Sequence, residues 1–217
     1  MVTRLPACFL ACLFAGALGG AAVATTVTGT LLRRAPEKAA SAIDRYPSRG
    51  GSARSGAVAP EAPAVVYLVG QAAGPFTPPS ERPQMLQRDQ TFQPPVLPIL
   101  VGTTVDFPNL DPVYHNVFSY SKARKFDLGR YPKGKSKSVT FDTPGLIKVF
   151  CEIHPSMRAH ILVLEQPYFA VTGPDGHYRI PNVPPGEYVL KVWQEQLPDI
   201  EMKVTVPAQE SVVVDVR

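Results

Sequence analysis

The chain has 217 residues, 24 of them proline and 16 glycine, with 45% hydrophobic residues and a formal charge of +4. That length allows one or two compact domains with a real core. Proline between short apolar runs argues against a helical protein, and the basic charge comes with no recognisable nucleic-acid module, so nucleic acid is not an expected partner.

The first residues read as an export signal. A short basic start, MVTR, leads into the apolar run LPACFLACLFAGALGGAAVA, which ends in the small-x-small site Ala22-Val23-Ala24. A signal peptide over 1–24 places the rest of the chain in the periplasm or otherwise outside the cytoplasm. The alternative is an uncleaved N-terminal membrane anchor, because no charge appears between Arg4 and Arg33. With Cys8 and Cys12 in the leader, Cys151 is left as the one cysteine of the processed protein. A lone cysteine in an oxidising compartment has no disulfide partner within the chain. Cys151 is therefore either an inert core residue or a ligand.

Residues 25–63 are rich in Ala, Arg, Ser, Gly and Pro and lack an apolar period, which predicts a flexible tether. A first domain is expected over 64–166. Its strand candidates are AVVYLVG, QMLQRDQTF, VLPILVGTTVDFPN, HNVFSYS, SKSVTFDT, GLIKVFCEI and RAHILVLE. Period-two alternation in SVTF and IKVF, with Gly, Pro, Asn and Asp between the runs, predicts an all-β sandwich or barrel. The pattern resets after Gln166. PDG, HYRI, EYVLKVW, EMKVTVP and SVVVDVR predict a small β-lobe over 167–217, short for an independent domain. Between Lys122 and Lys148 stand eight Lys or Arg against two Asp. That excess suits either a solvated, edge-protecting face or steering towards an acidic partner.

The chemistry concentrates in FCEIHPSMRAH. Cys151, His154 and Met157 follow at intervals of three, and together they form a soft donor set that suits copper. Pro155 stiffens the short loop that must turn them inward. A fourth donor has to come from elsewhere. The remaining histidines are His115, His160 and His177. His115 opens a strand after the turn NLDPVY, where a sandwich can bring it to the same pole. His160 lies inside the strand beyond the loop and His177 follows the PDG turn, so both read as structural.

The pattern His-Asn-Val, a long interval, then Cys-x-x-His-Pro-x-Met resembles the cupredoxins, with the short ligand loop of the amicyanin type. The resemblance implies a cupredoxin-like Greek-key β-sandwich over about 64–165. It implies one type 1 copper, with His115, Cys151 and His154 as equatorial ligands and Met157 as the weak axial one. It gives Asn116 a supporting contact, its backbone N–H donating to the Cys151 sulfur. It makes Phe150 and His154 candidate electron paths and redox proteins the partners, such as an acidic cytochrome or dehydrogenase. The C-terminal lobe resembles a carboxypeptidase regulatory-like module, and the whole is similar to exported proteins labelled as methylamine utilisation proteins. One-electron transport, not enzymatic catalysis, is the implied function. Copper storage or delivery, or a metal-free binding sandwich, stays open as an alternative.

Overall fold

The computed structural model describes residues 24–32, 62–70, 75–195, 197–208 and 211–217. Its elements are all strands. In chain order they are β1 (Thr25–Thr30), β2 (Val65–Gly70), β3 (Leu86–Arg88), β4 (Thr91–Gln93), β5 (Val96–Leu100), β6 (Thr103–Pro108), β7 (His115–Ser119) and β8 (Phe126–Tyr131). There follow β9 (Ser136–Phe141), β10 (Gly145–Phe150), β11 (Arg158–Leu164), β12 (Phe169–Val171), β13 (His177–Val183), β14 (Gly186–Trp193), β15 (Ile200–Val206) and β16 (Ser211–Val213). The expected all-β architecture is what forms.

Two sandwiches build the molecule. In the first, the sheet β5-β11-β10-β7-β8 faces a second layer made of the β6–β9 pair and the β3–β4 hairpin. Parallel bridges Gln84↔Asp106 and Gln87↔Asn109 attach the hairpin to the β6 side. The chain crosses between layers from β5 to β6, β6 to β7 and β8 to β9, which is Greek-key connectivity. Alternate residues of facing strands fill the space between: Val105 and Phe107 from β6, Val139 and Phe141 from β9, Ile147 and Val149 from β10, Ala159 and Ile161 from β11. Cys151 and Met157 belong to the same core cluster, at the end of the layer where β10 gives way to β11.

The second lobe is larger than residues 167–217. Its sheets are β13-β1-β16 and β12-β2-β14-β15. Two boundaries expected from the sequence are corrected here. Thr25–Thr30, placed in the tether, forms the central strand β1, antiparallel to β13 and parallel to β16. Val65–Gly70, placed in the first domain, pairs with β14 and β12. The physical reason is burial. Fifty residues offer too little apolar surface for an independent core. Val27 and Leu31 from the β1 segment and Val66 and Leu68 from β2 supply the missing side, packing against Ile180, Tyr188, Leu190 and Val206. The threonines of TTVTGT suit a strand because their branched Cβ fits a pleated, half-buried surface, and the segment alternates buried and half-buried along its length. Residues 1–23 and 33–61, holding the expected leader and the rest of the tether, lie outside the described residues. No helix among the described residues is long and apolar enough to cross a membrane.

A third apolar cluster joins the lobes. Val65, Val96, Leu162 and Leu164 are buried there, with Tyr67, Leu146, Phe169 and Trp193 packed against them. The second lobe thus covers the outer face of the five-stranded sheet on the side of β5, β10 and β11 and reaches Arg158, at the mouth of the Cys151 loop, through Glu195.

β1 sits so close to the last strands that Gly29 has no room for a side chain. A Cβ there would lie 1.9 Å from the Val214 carbonyl oxygen and 2.8 Å from the Tyr178 hydroxyl. Gly29→Ala is expected to destabilise the second lobe by about 1–3 kcal/mol, measured as a lowered denaturant midpoint; unchanged unfolding would contradict the placement of β1.

Tyr178 donates its hydroxyl proton to the Val214 carbonyl. Burial, and then the nearby Asp215 carboxylate, push the phenol up from 10.0 to about 12. The folded state therefore keeps a proton that the unfolded chain loses first. This contribution is fully present below pH 10 and is lost as pH rises towards 12. Denaturant melts between pH 9 and 12 should show that decline, and Tyr178→Phe should remove part of it.

Candidate metal centre

His115 is the first residue of β7, fully buried, in register with Tyr131 of β8. A bulge between Asn116 and Phe118 shifts the β7–β8 register just beyond it; such bulges re-aim side chains next to sites. On the other side, β10 meets β7 through the pair Phe150↔Phe118. That pairing sets Cys151, the next residue, beside His115 although 36 residues separate them.

The loop from Cys151 to Met157 joins β10 to β11. Phe150 and Arg158 are paired at its mouth. Inside, the Cys151 N–H donates to the Met157 carbonyl at 3.3 Å and the Met157 N–H to the His154 carbonyl at 2.9 Å. These bonds fold the loop back so that His154 turns inward. His154 Nδ1 lies 3.0 Å from His115 Nδ1, and Cys151 Sγ lies 3.8 Å from the same nitrogen. The donor atoms of His115, Cys151 and His154 all lie within 4.8 Å of one another. His115 and Cys151 are buried, while His154 is half-buried at the pole.

The spacing fits a metal ion. Donors held at about 2.0–2.3 Å from a common ion stand roughly 3–4 Å apart. The protonation pattern agrees. His115 Nε2 faces Asp111 Oδ2 at 2.8 Å. Asp111 also accepts from the backbone N–H of Asp89 at 2.6 Å and of Gln90 at 2.9 Å. Burial works to raise the Asp111 pKa, but those two backbone bonds and the His115 ring together outweigh it and hold the carboxyl below its ordinary value. An ionised carboxylate only accepts, so this contact favours the His115 tautomer with its proton on Nε2, whose Nδ1 then faces Cys151 and His154. Two imidazole nitrogens 3.0 Å apart need a proton or a cation between them. A soft thiolate beside two imidazoles selects copper or zinc over magnesium or calcium.

Met157 is fully buried and its backbone helps to close the loop. Asn116 reaches the site through its side chain: Oδ1 accepts the Glu152 N–H at 2.7 Å and lies 3.5 Å from Cys151 Sγ. The contact found is with the amide oxygen, where the resemblance implies one from the backbone N–H. His160 and His177 stand away from the cluster. His160 stacks on Trp193 with ring centroids 5.0 Å apart, and His177 Nδ1 lies 3.0 Å from the Thr30 hydroxyl. Phe150 lies against Phe118 at 5.9 Å, and Phe118 against Tyr120 at 5.3 Å. Asp111 is the site residue that sequence reasoning missed. In NLDPVYH it reads as a turn former; the available signal was its position four residues before His115.

Comparison with known proteins finds one family model and several partly similar solved structures. A family model described as "Polysaccharide lyase family 4, domain II" matches residues 164–214. No curated protein matches the chain. Among solved structures, it is similar to a copper-containing nitrite reductase from Thermus scotoductus SA-01, with 28% identity over 45% of this chain and a TM-score of 0.39. The match spans 25% of that enzyme's chain. It is also similar to a mutant of amicyanin in the reduced state, with 23% identity, 41% of this chain, 92% of that one and a TM-score of 0.37. A purple cupredoxin from Nitrosopumilus maritimus gives 26% identity, 38% of this chain, 99% of that one and a TM-score of 0.35. The first lobe is, on its own strand order and core, a two-layer Greek-key β-sandwich.

Asn116→Ala would leave the Glu152 N–H without its acceptor and free the ligand loop. The expected cost is about 1–3 kcal/mol of stability, with metal affinity lowered about 10–100-fold. Isothermal titration with Zn(II) or Cu(II) checks the second figure.

Proposed function

We propose that the protein is an exported, mononuclear type 1 copper protein that carries single electrons between redox protein partners. One observation supports this above the rest: a cysteine sulfur and two imidazole nitrogens, brought from distant parts of the sequence, converge at a half-open pole of a rigid sandwich. His115, Cys151 and His154 would hold the metal, with Met157, buried at the end of the same loop, as a fourth and weaker donor. Copper held by such a set supplies a one-electron couple.

The chain's own residues do the rest. The Asp111 carboxylate, the loop-closing backbone bonds and the Asn116 amide fix the donors before any metal arrives, so little needs to move when charge changes. His154, half-buried, reaches the surface at the pole. From Cys151 a second route runs through Phe150 and Phe118 to Tyr120, which is 77% exposed. Lys122, Arg124, Lys125, Lys133, Lys135 and Lys137 are all exposed, a distribution that suits an acidic partner. A copper enzyme would need a second histidine cluster, whereas His160 and His177 are engaged elsewhere.

The test uses the processed chain with Cu(II). An intense thiolate-to-copper visible band, absent in Cys151→Ala, together with a reversible voltammetric couple, is the expected result. A colourless protein that binds Cu(I) tightly would make it a storage or delivery protein, and one that binds no copper a metal-free module. Either outcome overturns the proposal.

A further inference from the structure

The site has an anionic support that the donor set does not require. Asp111 is 5% exposed, and among the described residues its one ion-pair partner is the His115 ring. Such a buried carboxylate is costly unless it is fully hydrogen-bonded. Here the bonds come from an unusual source. Asp89 and Gln90 form the two-residue turn of the β3–β4 hairpin, and both have φ of +54°. That left-handed pair suits the tight hairpin turn whose twist matches its strands, and it aims two successive N–H groups at one carboxylate. The loop bearing Asp111 is fixed as well. Asn109 Nδ2 donates to the carbonyls of Val113 and Tyr131, and Asn109 Oδ1 accepts the Asp111 N–H at 2.9 Å. Leu110 N–H donates to the Gln87 carbonyl, binding this loop to β3. The hairpin, the loop and the His115 ring form one continuous hydrogen-bonded unit ending at the metal-facing nitrogen.

We propose that Asp111 is a positioning residue for the metal: gripped by the two N–H groups of the β3–β4 turn, its carboxylate locks His115 as the Nε2–H tautomer and adds negative charge to the imidazole. The inference rests on the copper reading. Hydrogen bonding from a ligating imidazole to a carboxylate raises the basicity of the ring. The added charge favours the more highly charged oxidation state of the ion, so the turn at Asp89–Gln90 lowers the reduction potential of a metal it never touches.

The experiment compares wild type, Asp111→Asn and, as a control for simple loss of charge, Asp142→Asn, an exposed residue. Voltammetry of the copper-loaded proteins should show a potential at least about 59 mV higher in Asp111→Asn, a tenfold shift of the one-electron equilibrium. Asp142→Asn should stay close to wild type. Metal-free wild type gives an independent readout: nitrogen NMR of the histidine rings should place the His115 proton on Nε2. Protonation on Nδ1 in wild type overturns the proposal without any variant, so it stays testable if Asp111→Asn does not fold. An unchanged potential in a folded Asp111→Asn that still shows the thiolate band overturns it too. Absence of that band in wild type is a different failure: it removes the copper reading while leaving the tautomer measurement to decide the role of Asp111.

Discussion

The pairing of Phe150 with Phe118 fixes the rest of the site. The centre depends on Cys151 emerging from β10 next to the start of β7, and this pair holds the two strands together there. Strand side chains alternate with period two, so a slip of one residue would turn Cys151 from the core to the outer face. The slip is prevented from both sides. β10 runs in unbroken register with β11 from Gly145↔Val163 to Phe150↔Arg158, burying Ile147 and Val149 against Ala159 and Ile161. The β7 bulge then adjusts the one place where His115, Asn116 and Val117 are all buried in succession. The chemistry at the pole is thus a consequence of ordinary core packing a few residues away.

The division of the chain has a consequence for how it folds. The first sandwich is built from a continuous stretch, β3 to β11. The second needs the N-terminal strand β1 between β13 and β16, so its sheet closes the longest loop in the molecule. Closing such a loop costs entropy that grows slowly with length but must be met before its contacts form. The first sandwich can therefore assemble ahead of the second. The cluster of Val65, Val96, Leu162 and Leu164 joins this lobe to the sheet whose strand β10 leads into Cys151.

How much of this was legible in the sequence follows from the range of the interactions. The Cys151–Met157 loop was plain, because spacing and Pro155 act locally. His115 was reachable because few histidines compete for the role. Asp111 was not: its partners Asp89 and Gln90 are distant in sequence, and their turn lacks the Asn-Gly or Asp-Gly signal that marks this hairpin type. For the same reason QMLQRDQTF reads as one strand and folds as two. β8, FDLGRY, escaped notice because its exposed face is charged and only Tyr131 is fully buried. β1 was hidden by composition: threonine and glycine read as linker when the strands that flank them lie far along the chain.

The same logic bears on the metal pole itself. Each donor is held by contacts that do not include the ion: His115 by Asp111, His154 by the bond from Met157, Cys151 by its own bond to Met157 and by β10. A site whose shape came from the metal would rearrange whenever the metal's preferred geometry changed with its charge. A site whose shape comes from two packed sheets and a hydrogen-bonded loop resists both geometries equally, and interiors at crystal-like density have little freedom to follow either. For the electron-carrying role proposed above, that stiffness matters more than tight binding. It explains why so small a donor set is backed by so large a framework of buried strands.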